Sequence, residues 1–218
     1  HTRFKCDWSS DVCFPIYGFV MRRNPESRAA MPDERAKYEV PGQKWMDHSN
    51  EDESFGVSLL NDCKYGFDTA NDVIRMTLLR SAEYPIGLRA AFGLSVDDNL
   101  LNQLTDQGEH AIAYALYPHR SNSKEALTAR RAYEFNYPLM PLFEQKHDGN
   151  LPKLYSFVSA EPENLILTTI KTAEDSEDIV LRFYETSGKD TTAIIRMAED
   201  FKAARETDLL ENDTCDLF

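Results

Sequence analysis

The hydrophobic period of this chain is two along most of its length, and that limits its fold more than any other feature. Extended chain sends successive side chains to opposite faces, so a sheet with one wet face needs apolar and polar residues in alternation. From Asp72 onward, Ile74, Met76 and Leu78 are apolar while Arg75 and Thr77 alternate with them. Between positions 110 and 116 the alternation is large against small. His110, Ile112, Tyr114 and Leu116 fall on one face, and Ala111, Ala113 and Ala115 on the other. The large set is expected to face the core and the small set to admit another layer. A helix stays open as the alternative there, since alanine favours helices, although Pro118 opposes it.

Further candidate strands run Leu154–Val158, Leu165–Lys171, Ile179–Glu185 and Thr191–Met197, separated by polar or glycine-bearing turns. Short strands at this spacing predict a sandwich or barrel. The charged connections 175–178 and 187–190 read as hairpin ends in water. One helix is expected over Lys124–Tyr133, with Ser121 and Ser123 available to cap free amides, Ala126, Ala129 and Tyr133 on one face, and Pro138 beyond its end. Asn24–Pro32 and Tyr84–Thr105 read as loops, the second long enough to be a functional or interface element. No repeat or composition shift marks a boundary, so residues 1–218 are read as one domain.

Composition removes several functions. With 37 acidic against 24 basic side chains the net charge is -13, which repels phosphate backbones and anionic head groups, so neither nucleic acid nor a membrane is expected as a partner. No stretch approaches the roughly 20 apolar residues of a membrane span, and His1–Cys6 has no signal-peptide core. Cys6, Cys13, Cys63 and Cys215 are too few for a disulfide scaffold, and as reduced thiols they fit a cytoplasmic location.

Phosphate loops, nucleophile elbows and His-Glu-x-x-His pairs are missing, so nucleotide chemistry, serine hydrolysis and metalloprotease chemistry lack their residues. His110 and His119 are candidate metal ligands with Asp106 or Glu109. Extended chain would hold the two about 30 Å apart, which favours ordinary hydrogen-bonded histidines. The run from Phe55 to Asp68 is richer: an apolar strand delivers polar and aromatic side chains between Gly56 and Gly66. Asn61, Asp62 and Lys64 have the groups to bond sugar hydroxyls, and Tyr65 the ring to stack on a pyranose face. A plain β-turn built on Asn-Asp chemistry fits the same residues.

This run resembles the Leu-Leu-Asn-Asp-x-Lys-Tyr-Gly signature in the carboxy-terminal part of the family 38 α-mannosidases. Lys37–Asp47 is similar to the family's segment before it and Ile74–Ser81 to the segment after it. Asp106–His110, Tyr114–His119 and Glu206–Glu211 then follow in the family's order. The resemblance implies a large antiparallel β-sandwich of the supersandwich kind found in galactose mutarotase-like domains, with one short helix. It implies a retaining exo-mannosidase acting on terminal α-mannosides through two carboxyl groups. It also implies a divalent metal, usually zinc, in the full-length enzyme. In the family that machinery lies on a catalytic barrel domain, and nothing in residues 1–218 resembles it. No catalytic residue, no metal ligand and no activity are therefore expected of this fragment.

In the family the sandwich packs on its own catalytic domain, and one of its loops reaches the rim of the sugar pocket. By motif position that loop is similar to Asn61–Tyr65, with Asp62 and Lys64 as contacts to substrate and Asn61 and Tyr65 shaping the turn. The family pattern is compressed after Trp8 and continues past Phe218. Unpaired edges would then be exposed, so a homo-oligomer is expected. A stand-alone carbohydrate-binding module and a purely structural buttress are the alternatives.

Overall fold

The computed structural model describes residues 2–6 as backbone, and residues 39–70, 73–81, 92–93 and 105–217. In chain order the elements are β1 (Thr2–Cys6), β2 (Val40–Pro41), β3 (Trp45–Ser49), β4 (Phe55–Asn61), β5 (Gly66–Ala70), β6 (Val73–Met76) and β7 (Tyr114–Arg120). There follow α1 (Thr128–Asn136), β8 (Val158–Glu161), β9 (Leu165–Thr172), β10 (Ile179–Glu185), β11 (Thr191–Met197), β12 (Arg205–Thr207) and β13 (Asp213–Asp216). Every strand pairing is antiparallel, and α1 is the one helix among the described residues. The all-β class with one short helix is therefore correct. The chain divides into two compact units, Arg22–Tyr137 and His1–Met21 with Pro138–Phe218. The expected loop 24–32, and 84–105 apart from 92–93 and 105, lie outside the described residues.

In the unit Arg22–Tyr137, β4 is the centre of a three-stranded sheet with β3 and β7, and β5 is the centre of another with β2 and β6. A central strand is paired along both edges, and β4 is buried at Gly56 and from Ser58 to Asn61. Gly56 sits opposite His119. A Cβ there would lie 2.6 Å from His119 Cε1 and from Ser49 Oγ, so only glycine lets the imidazole close over the strand. Helix α1 packs on β4 and β3 through Thr128 and Ala132, both wholly buried.

The helix begins later than its sequence suggests. Residues 123–127 form turns, and Leu127 takes a left-handed φ of 55° with no side-chain cap. Asn122 does the work expected of the serines: its Oδ1 accepts from the N–H groups of Lys124 and Glu125 at 3.1 and 3.0 Å. At the other end Tyr137 N–H donates to the Tyr133 carbonyl and Pro138 follows, as the sequence indicated.

The expected strand over 110–116 is corrected in two respects. Pairing starts only at Tyr114, and the faces are inverted, with Tyr114 56 % and Leu116 66 % exposed while Tyr117 and His119 turn inward. Size alone misassigned the face because the residues that decide it lie beyond the alanines. Tyr117 donates to the Ala126 carbonyl at 3.1 Å, and His119 enters a buried polar cluster.

In the second unit, β11 pairs with β1 and β8, β9 pairs with β10, and β12 pairs with β13. Its buried apolar residues include Leu165, Ile166, Tyr184 and Ala193. β10 and β11 have the bounds read from sequence, and β9 extends that reading by one residue. Leu154–Val158 is not a strand: pairing begins at Val158, and Leu154 is almost wholly exposed. The 175–178 connection closes the β9–β10 hairpin, with Ala173 N–H on the Asp178 carbonyl at 2.9 Å. The 187–190 connection is no hairpin, since β10 and β11 lie in different sheets.

Candidate functional site

β4 ends in a tip that owes its shape to one side chain. Asn61 is 0 % exposed, and its Oδ1 accepts from the Lys64 N–H at 2.8 Å, closing the turn over Asp62 and Cys63. Three backbone contacts fix it further. Its N–H donates to the Lys44 carbonyl at 2.9 Å, its carbonyl accepts from Asn136 Nδ2 at 3.0 Å, and the next N–H, that of Asp62, reaches the Ala113 carbonyl at 3.3 Å. Lys44 presents that carbonyl from a left-handed φ of 65°, a conformation uncommon for lysine. Among the described residues Asn61 Nδ2 is the buried side-chain polar atom without a hydrogen-bond partner.

The four residues singled out from sequence therefore separate. Asn61 points inward and shapes the turn. Asp62 is exposed, Lys64 half-buried, and Tyr65 53 % exposed at the entry to β5. Asp62 Oδ1 also accepts from the Ala113 N–H at 3.3 Å. Hydrogen bonding from the Cys63 thiol, helped by Ala113 and the nearby Lys64 charge, holds the Asp62 carboxyl below the usual aspartate range. The same contact with Asp62 pushes the Cys63 thiol up, so this exposed cysteine is a poor nucleophile near neutral pH. The tip thus offers an anion and a cation two residues apart, with directional bonding capacity and no activated nucleophile.

Behind the tip lies a cluster that sequence reading missed. Asp47 on β3 shares a 2.7 Å hydrogen bond with His119 Nε2. It also accepts from Ser58 Oγ at 2.6 Å and Ser49 Oγ at 2.8 Å. His119 Nδ1 donates to the Ser121 carbonyl at 3.0 Å, and Ser58 Oγ meets Thr128 Oγ1 of α1 at 2.8 Å. A serine, a histidine and an aspartate are all present, but Ser58 bonds the carboxylate rather than the imidazole. The imidazole does not reach its hydroxyl, and the group is buried, so it is a polar core that locks α1 to the sheet. The signal in the sequence was Gly56, which faces His119.

His110 bonds the Asp106 carbonyl at 2.8 Å, so both histidines are hydrogen-bonded within the protein as expected. No group of three or more His, Cys, Asp or Glu able to hold a metal ion is assembled among the described residues. No helix among them is long and apolar enough to cross a membrane.

Residues 16–87 match the Glycosyl hydrolases family 38 C-terminal domain, and residues 164–217 match the Glycosyl hydrolases family 38 C-terminal beta sandwich domain. The chain belongs to glycoside hydrolase family 38, in its carboxy-terminal region. The first match contains the whole 61–65 tip and the second contains β9 to β13. Relatives in this family include alpha-mannosidase G of Dictyostelium discoideum, 37 % identical over 160 residues, which are 72 % of this chain and 13 % of that protein. The alpha-mannosidase of Saccharomyces cerevisiae is 34 % identical over 190 residues, 81 % of this chain and 16 % of that protein. Mouse alpha-mannosidase 2C1 is 33 % identical over 180 residues, 81 % of this chain and 15 % of its own length. The chain thus spans only a small part of these relatives. A family 38 protein from Enterococcus faecalis shares the fold, with a TM-score of 0.68, 19 % identity and coverage of 91 % of this chain and 22 % of that one.

Proposed function

We propose that residues 1–218 act as one carboxy-terminal β-sandwich domain of a retaining α-mannosidase that removes terminal α-mannose. In this reading two carboxyl groups on a separate catalytic domain form and hydrolyse the glycosyl-enzyme. A divalent metal there, zinc by family resemblance, would orient the sugar hydroxyls. The metal is assigned to that domain by the same resemblance.

The observation that carries the reading is the tip itself: a buried asparagine holds a turn that leaves Asp62 exposed and Lys64 half-buried above it, a carboxylate and an ammonium two residues apart. The 61–65 tip is proposed as part of the rim of the sugar site, and packing on the catalytic domain brings it there. That packing is supported by Leu139, Met140, Leu142 and Phe143, each at least 89 % exposed, which need cover from another surface. Pairing between copies would cover part of the same surface, and a homo-oligomer is proposed. The free thiols Cys63 and Cys215 support a cytoplasmic setting.

The test is alanine substitution of Asp62 and Lys64, singly, in the full-length polypeptide. On this reading KM for an α-mannoside rises about 5- to 30-fold for each, as expected when a partly exposed hydrogen bond worth about 1–2 kcal/mol is lost, with a smaller change in kcat. Unchanged kinetics would favour the buttress reading. That second reading has its own support, since the Asp62 carboxylate is already engaged by Ala113.

A further inference from the structure

The carboxy-terminal end of α1 is tied to the end of β4. Asn136 Nδ2 donates to the Asn61 carbonyl at 3.0 Å and to the Ala132 carbonyl at 2.8 Å. The next residue, Tyr137, caps the helix and is 67 % exposed. Its ring lies against that of Tyr133, with centroids 5.8 Å apart and planes 15° from parallel. Lys44 Nζ stands 5.1 Å from the Tyr133 centroid, and the Lys44 carbonyl accepts from the Asn61 N–H at 2.9 Å. Lys44 and Asn136 thus both hold Asn61, and together they place a tyrosine stack beside the tip.

An i, i+4 aromatic pair on a helix surface stabilises the helix a little wherever it occurs. This one differs in its position and in its state. Tyr133 lies nearly parallel against Tyr137 on one side, and most of Tyr137 stays exposed. A pyranose has an apolar face of C–H bonds and a rim of hydroxyls. It is bound by a fixed aromatic surface flanked by directional polar groups, and Asp62 and Lys64 are such groups.

We propose that Tyr137, backed by Tyr133, is the aromatic platform for the sugar next to the terminal mannose, on the leaving-group side. This rests on the reading of 61–65 as a rim. A rim meets what protrudes from an exo-acting pocket, and that is the second pyranose of the substrate. Tyr137 is then a specificity-determining residue: it acts on substrates with a second ring and is silent on substrates without one.

The experiment compares α-mannobiose with α-mannosyl fluoride in the full-length polypeptide, for Tyr137→Leu and Tyr137→Phe. Leucine keeps the bulk and loses the π face, while phenylalanine keeps the face. Expected is a rise in KM for mannobiose of about 3- to 10-fold with leucine, wild-type values for the fluoride, and near-wild-type values on both substrates with phenylalanine. Equal effects of leucine on both substrates, or no effect on either, would overturn the proposal. Should Tyr137→Leu fail to fold, Tyr137→Gln, which also lacks a ring, serves, and the same split between the two substrates is required. Asp62→Ala and Lys64→Ala run in parallel separate the two readings. If they act and Tyr137→Leu does not, only the platform fails. If Tyr137→Leu shows the split and they are silent, the platform stands and the polar rim fails.

Discussion

Two turns in this chain follow a strand and are each held by a single side chain, and the chemistry of that side chain separates them. After β4, the neutral amide of Asn61 accepts one N–H, that of Lys64, from a fully buried position. After β10, the Glu185 carboxylate accepts the N–H groups of Ser187, Gly188 and Lys189 at 2.6, 2.5 and 3.0 Å, and Asn164 Nδ2 as well at 2.5 Å. In the second turn the Glu185 carboxylate is engaged by three amides of the turn itself and by Asn164. The first is fixed from below by a residue that never meets solvent, which leaves Asp62 and Lys64 above it able to engage something else. Two turns can thus have similar composition and differ in where the anchor sits, and the proposed rim is the one anchored from below.

The comparison breaks most readily at its anchors. Asn61→Ala removes the acceptor for the Lys64 N–H from a buried position, so a stability loss of about 1–3 kcal/mol is expected from urea unfolding. A loss below a few tenths would mean that the backbone contacts alone hold the tip. Glu185→Gln keeps the shape and removes the charge, and a loss of about 1 kcal/mol is expected, discounted because the group is partly exposed. Its dependence on pH sharpens the contrast. Burial pushes the Glu185 carboxyl up, but the Ser187, Lys189 and Gly188 amides and Asn164 outweigh it, so the group is held below its ordinary 4.5. A carboxyl lowered on folding stabilises fully above its unfolded value and loses that contribution as pH falls through the folded one. Wild-type stability should therefore decline below about pH 4.5 more steeply than that of Glu185→Gln, whereas the Asn61 anchor adds no such slope. The smallest effect is at Cys63, whose thiol is raised by Asp62. Asp62→Asn should move the pH profile of iodoacetamide alkylation at Cys63 downward, and an unmoved profile would mean that the two side chains are not in contact in solution.

The strands were legible where pattern and burial agree. β10 and β11 were bounded correctly because each lies between polar turns and carries its own apolar face. The face of β7 was not legible, because its inward residues Tyr117 and His119 are satisfied by Ala126, Asp47 and Ser121, and part of that set lies 72 residues away along the chain. The same distance hid Asn136, which meets Asn61 across 75 positions. Asn61 could be picked out from local Asn-Asp turn chemistry, but its burial could not, since that depends on α1 and β3. The 187–190 connection misled for a related reason: a short polar turn says where a strand ends and nothing about which sheet the next strand joins.

The most direct measurement is a structure of the full-length polypeptide with an α-mannoside held in its active centre. The tip would then lie at the mouth of the pocket, with Asp62 or Lys64 within hydrogen-bond distance of the sugar. A tip turned away into bulk water, or sealed under the catalytic domain with no route to the ligand, would contradict the account.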